Sequence, residues 1–85
     1  MNTDDLHELM TEVLSRIAPE ADVTDIDPTE DLRDELDLDS MDELNMITRV
    51  SERLEIDIPE RDYPQMRSFA GAIEYLSLRT GAPTG

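Results

Sequence analysis

Eighty-five residues support at most one domain with a modest core, too small for most enzymes that must enclose a substrate. The 22 acidic and 7 basic residues give a formal charge of −15, which repels nucleic acid and anionic lipid heads and attracts basic protein surfaces. There is no cysteine and no lysine, so neither a disulfide framework, a thiolate nucleophile nor a Schiff-base lysine is available.

Leu, Ile, Val and Phe number 20 of 85, just above the level below which so charged a chain stays disordered. They cluster at helical spacings, which predicts a fold whose stability rises with salt or divalent cations that screen self-repulsion. No signal peptide or long apolar run is visible, so the expected location is cytoplasmic, without membrane insertion.

The first predicted helix covers residues 3–18, with Thr3 or Asp4 as cap and Pro19 after its end. Leu6, Leu9, Met10, Val13 and Ile17 recur at three- and four-residue steps and make one apolar stripe. His7 lies off that stripe with no Ser, Cys or metal-ligand partner nearby, so it reads as solvated surface.

Residues 19–39 form a long acidic connection with Pro19 and Pro28, yet carry Val23, Ile26, Leu32, Leu36 and Leu38. A purely polar loop would not need so many apolar residues. The expectation is a loop pinned over the core.

A second helix is predicted over Ser40–Leu54. Ser40-x-x-Glu43 matches a capping box, placing Ser40 at the helix N-terminus with Glu43 reaching back. Met46, Ile47, Val50 and Leu54 share one arc, the core face. Met41 falls nearly opposite with Asn45, Thr48 and Glu52, and Leu44 lies at the margin. An apolar residue there marks an interaction surface, or is a single exposed methionine that needs no explanation.

Ile56, Ile58 and Pro59 lead into a segment over residues 60–63 that Pro64 should cut to one turn. A last helix is expected over residues 68–78, with Phe69, Ala72, Ile73 and Leu76 facing inward and Gly81 and Pro83 as stop signals. Residues 1–80 thus read as a single domain and 81–85 as a flexible tail.

The informative stretch is Leu36-Asp37-Leu38-Asp39-Ser40-Met41-Asp42-Glu43-Leu44. Asp39-Ser40-Met41 resembles the Asp-Ser-Leu attachment motif of acyl carrier proteins, with Met in place of Leu. The context is similar too: an apolar-acidic run before the motif, an amphipathic helix after it, and then Glu55-Ile56-Asp57-Ile58-Pro59. Ser68-Phe69-Ala70-Gly71-Ala72-Ile73-Glu74-Tyr75-Leu76 is similar to the family's last helix, so the resemblance covers roughly residues 6–76.

That resemblance implies an all-α, small four-helix bundle of acyl-carrier type with a long first loop and a short third helix. It implies a monomer that is not an enzyme. A 4'-phosphopantetheine arm would be attached to Ser40, with Asp39 and Met41 as motif neighbours and an apolar interior able to shelter an acyl chain. The implied partners are a phosphopantetheinyl transferase, which takes the arm from coenzyme A, and acyl-loading and acyl-processing enzymes with basic docking surfaces. The implied partner surface is Met41, Asp42, Glu43, Leu44, Asn45, Thr48 and Glu52. Independently of the family, an anion on Ser40 would meet unpaired backbone N–H groups and the positive end of the helix dipole. That attraction is worth about 0.3–1 kcal/mol at an exposed site, too little to drive attachment.

Departures from the family pattern point to a specialised carrier, or are neutral surface drift. Asn45, Thr48 and Ser51 stand where housekeeping members usually have carboxylates or Met, Arg49 and Arg53 add positive charge, Asp37 replaces a usual Gly, and Pro64 interrupts the third helix. Charge is also uneven: up to Asp39 there are 14 acidic and 2 basic residues, and beyond it 8 and 5.

Taken alone, Ser40 is simply an N-cap. A catalytic serine would need a base, an oxyanion donor set and a Gly-x-Ser-x-Gly elbow, which is absent. EF-hand registers starting at Asp25 or Asp37 put Leu36 or Thr48 where the bidentate Glu belongs, so no metal site is expected. An unmodified acidic interaction protein, either a nucleic-acid mimic or an adaptor, fits the charge but not the whole-chain resemblance. A peptidyl or aryl carrier of nonribosomal synthesis would keep the serine role, but such modules usually have Gly residues before the serine, where this chain has Leu38-Asp39.

Overall fold

The computed structural model describes residues 2–81. Its elements in chain order are α1 (Thr3–Ile17), a 3-10 turn (Val23–Asp25), α2 (Leu32–Leu36), α3 (Ser40–Leu54), a 3-10 helix (Glu60–Met66) and α4 (Phe69–Thr80). The expected all-α four-helix bundle is present: α1 packs against α3 and α4, and the 3-10 helix packs against α4. No helix among the described residues is long and apolar enough to cross a membrane.

The cap of α1 is Asn2, not Thr3 or Asp4. Asn2 takes extended backbone, its Oδ1 accepts from the Asp5 amide at 2.9 Å, and Asp5 Oδ2 accepts from the Asn2 amide at 3.1 Å. This reciprocal pair satisfies two of the amides a helix start leaves open. The buried stripe is Leu6, Leu9, Met10, Val13 and Leu14, while Ile17 packs only partly against the core. Leu14 was absent from the expected stripe. At a four-residue step from Met10 it widens the apolar face enough to meet both α3 and α4. His7 is exposed, as expected, with its ring 5.3 Å from that of Phe69.

The long connection is more ordered than a pinned loop requires. Asp22 and Asp27 each accept from the amide and hydroxyl of a threonine two residues on, Thr24 and Thr29, a local turn that competes with helix. Those hydroxyls, with the amides, hold both carboxyls below their ordinary value of 3.8. Their contribution to stability is present above that pH and is lost as pH falls through the lowered values. Val23, Leu32, Leu36 and Leu38 are buried, which is the pinning the apolar residues predicted. Backbone bonds fasten the segment to the entry of α4: the Leu32 amide donates to the Arg67 carbonyl at 2.7 Å, and the Ala70 amide to the Pro28 carbonyl at 2.9 Å.

Pro64 does not cut the third helix. The segment runs seven residues to Met66 as a 3-10 helix with Pro64 inside it. The proline lacks an amide and would clash with the carbonyl four residues back in an α-helix. The tighter i→i+3 winding avoids that pairing and brings Met66 into the core. α4 extends to Thr80 with Ser68 as cap, its Oγ accepting from the Gly71 amide at 3.0 Å, and Gly81 closes it at φ 72°. Phe69, Ala72, Ile73 and Leu76 are buried as expected, and so are Tyr75 and Ser77. The Tyr75 hydroxyl donates to Asp62 at 2.7 Å, linking α4 to the 3-10 helix. Burial, and then that bond, push the hydroxyl above its ordinary value. Within the expected tail, residues 82–85 lie outside the described residues.

α3 ends on Glu55 in the left-handed region, φ 54° and ψ 44°. A side chain there costs about 1–2 kcal/mol, and a carboxylate at a helix C-terminus opposes the dipole by about 0.3–1 kcal/mol. Glycine removes both penalties while adding about 0.4–1 kcal/mol of unfolded-state freedom. Glu55→Gly is therefore expected to stabilise the chain by about 1 kcal/mol, a rise of roughly 5 °C in a thermal melt. A lowered Tm would contradict it.

Candidate prosthetic-group site

Three residues, Asp37, Leu38 and Asp39, carry the chain from α2 to the start of α3. Asp37 adopts the left-handed conformation, φ 55°, that lets the five-residue α2 end abruptly, which is the physical reason glycine suits this position. Leu38 then turns into the core beside Leu36. With both leucines anchored, the next residues have a fixed starting point.

The cap of α3 is Asp39, not Ser40. Asp39 is extended, its Oδ1 accepts from the Asp42 amide at 2.8 Å, and Asp42 Oδ2 accepts from the Asp39 amide at 3.4 Å. The expected Ser40–Glu43 box does not form, because Glu43 is committed elsewhere. Its side chain is turned inward, the residue only 8% exposed, and accepts from Arg33 Nε at 2.8 Å, with Arg33 Nη2 closer still. Arg67 Nε lies 3.9 Å from its other oxygen. Ser40 is thereby moved to the first helical residue, exposed, and its hydroxyl bonds to no described residue.

The remaining candidate residues divide accordingly. Met41 is 66% exposed and Leu44 45%, and both stand on the solvent side with Asn45, Thr48 and Glu52. Asp42 is half-buried and occupied by the cap. Glu43 is withdrawn from that face. Further along α3, Arg53 reaches across to Glu12 of α1, and its hydrogen bond, with Arg16 adding to it, holds the Glu12 carboxyl below its ordinary value of 4.5.

Beside Ser40 an open groove of about 530 Å³ runs between α3 and the 3-10 helix, with Ile47, Leu44, Tyr63 and Pro64 along it and Arg33, Glu43 and Arg67 at its side. The crevice beneath, between Leu32, Leu38, Met46 and Met66, is filled, with no volume left for a water molecule. Sequence reasoning missed Arg33 and Arg67. They lie 34 positions apart in no motif, and it is long-range backbone pairing, the Leu32–Arg67 bond and the Asp31–Ser68 bridge, that brings them together.

Chemically, the site offers one unencumbered hydroxyl at the rim of a groove long enough for a flexible chain, with no base aligned on the oxygen. A small helical bundle that displays a serine in this way meets the geometric requirement of a covalently modified carrier. Residues 4–76 match the family described as the phosphopantetheine attachment site, and the chain belongs to it; its prosthetic group is 4'-phosphopantetheine. The chain is also 29% identical over 76 residues to the mitochondrial acyl carrier protein of Neurospora crassa, an alignment that covers 89% of this chain and 57% of that protein. It therefore spans a little over half the length of the relative it matches.

Proposed function

We propose that this chain carries acyl intermediates as thioesters on a 4'-phosphopantetheine arm joined to Ser40, and that it catalyses nothing itself. The observation that carries the reading is the free Ser40 hydroxyl at the first residue of α3, inside the stretch that matches the attachment family. The arm supplies a terminal thiol that the cysteine-free chain lacks. A partner transferase forms the Oγ–phosphorus bond and releases the adenosine bisphosphate half of coenzyme A. The chain's own part is to hold the hydroxyl clear of hydrogen bonds and open to a bulky donor. Asp39 does this by taking over the capping that serine would otherwise perform.

Acyl-loading and processing enzymes would dock on Met41, Leu44, Asn45, Thr48 and Glu52, with Asp39 and Asp42 meeting basic groups on the partner. The apolar pair at the start of that face and its neutral middle set it apart from a uniformly acidic one, and Arg49 and Arg53 end it with positive charge. This supports a specialised carrier within fatty-acid, polyketide or related acyl biosynthesis rather than a general one.

The test is an intact mass after incubation with coenzyme A and a broad-specificity phosphopantetheinyl transferase. One phosphopantetheinyl group per chain is expected, located on Ser40 by fragmentation. A chain that gains nothing is an unmodified acidic interaction protein, and the proposal fails.

A further inference from the structure

An arm joined to Ser40 brings a phosphodiester anion to a place already rich in carboxylates. Asp39 and Asp42 flank the site, and their capping box has taken two of the amides at the start of α3. The helix N-terminus, which would ordinarily attract an anion, is thus already screened by two negative charges. A counter-charge has to come from elsewhere.

The groove supplies it. Arg33 and Arg67 are brought side by side by the backbone bond from the Leu32 amide to the Arg67 carbonyl at 2.7 Å and by the bridge between Asp31 and Ser68. Both face Glu43, which is three residues on from Ser40 and so about 5–6 Å away on the same helix face. Glu43 is one carboxylate shared by two guanidinium groups. Arg33 makes the close contact, and Arg67 stands off at 3.9 Å, half-exposed, with its terminal nitrogens bonded to no described residue. Around Glu43 one positive charge therefore remains unmatched, on the Arg67 guanidinium, which lines the same groove as Ser40. A planar guanidinium matches phosphate oxygens in paired fashion. Glu60 lies along the same groove, where the neutral amides of the arm suit it better than the phosphate would.

We propose that Arg67, steadied by the Arg33–Glu43 pair, binds the phosphodiester of the arm and directs the arm along the groove between α3 and the 3-10 helix. The inference rests on the reading of Ser40 as the attachment residue. It makes Arg67 a positioning residue for the prosthetic group, outside the Asp-Ser-Met motif.

The experiment compares wild-type chain with Arg67→Gln, each before and after loading, at low salt. Intact mass comes first: a wild-type chain that takes up no group overturns the carrier reading and this inference with it. For chains that do load, wild type is expected to gain about 3 °C in Tm on loading, Arg67→Gln to gain nothing or to lose, and Arg67→Lys to recover part of the gain. Arg67→Gln leaves the Arg33–Glu43 bond in place, and each loaded form is judged against its own unloaded form. In a nitrogen-resolved NMR spectrum of wild type, the Arg67 Nε–Hε resonance should move on loading while that of Arg53 stays. An equal change in Tm for wild type and Arg67→Gln, or an Arg67 resonance that does not move, overturns the inference and leaves the carrier reading standing.

Discussion

Ser40→Ala is expected to abolish attachment of the arm completely while changing stability by less than about 0.5 kcal/mol. The attachment loss follows from removing the oxygen to which we propose the arm is joined. The silence in stability is the sharper half of the prediction, because it follows from the cap belonging to Asp39. The Ser40 hydroxyl bonds to no described residue, and alanine is a strong helix former at the first helical residue. Asp39→Ala should do the reverse. It removes the bond to the Asp42 amide, costs about 1 kcal/mol and lowers Tm by roughly 5 °C, yet leaves the hydroxyl able to react. Intact mass and thermal melts on both variants check the pair. A Ser40→Ala chain that melts as low as Asp39→Ala would mean that serine caps the helix after all.

The one-residue shift in the cap shows how far the sequence could be read. Asp39-x-x-Asp42 and Ser40-x-x-Glu43 overlap, with caps of similar strength, and by residue type the second is the better box. What favours the first is the engagement of Glu43 by Arg33, ten positions earlier, and no local pattern reports that. The same limit explains α2. Its five residues give too little periodicity to announce a helix, although Leu32, Leu36 and Leu38 correctly announced burial. α1, α3 and α4 were legible because each buries a single stripe against a shared core, so that burial repeats with the helix period. Pro64 is a stop signal for an α-helix but not for the 3-10 winding this segment adopts, so its residue type gives no sign of the longer segment. Ser40 is singled out by resemblance, and the structure places it exposed at the start of α3. The two arginines beside it were not legible, since their pairing depends on a long-range backbone bond.

That bond gives Leu32 an importance its position in an acidic connection conceals. Its side chain is 2% exposed, its amide ties residues 19–39 to the entry of α4, and the next residue is the arginine that engages Glu43. Truncating such a leucine to alanine costs about 2–5 kcal/mol from lost burial and the cavity left behind. At about 0.05–0.15 kcal/mol per residue a chain of this size has roughly 4–13 kcal/mol in all, and its self-repulsion at −15 places it toward the low end. Leu32→Ala is therefore expected to lower Tm by at least about 10 °C, with part of the chain unfolded at 37 °C by far-UV circular dichroism. Added salt should recover some of that loss by screening the repulsion. Leu78→Ala, at a position 74% exposed, should change stability by less than about 0.5 kcal/mol. The connection before Ser40 is then a structural member of the bundle, because the residues that hold it down also fix where α3 begins. A Leu32→Ala loss below about 1 kcal/mol would instead make it a loose strap, with Ser40 positioned by α3 alone.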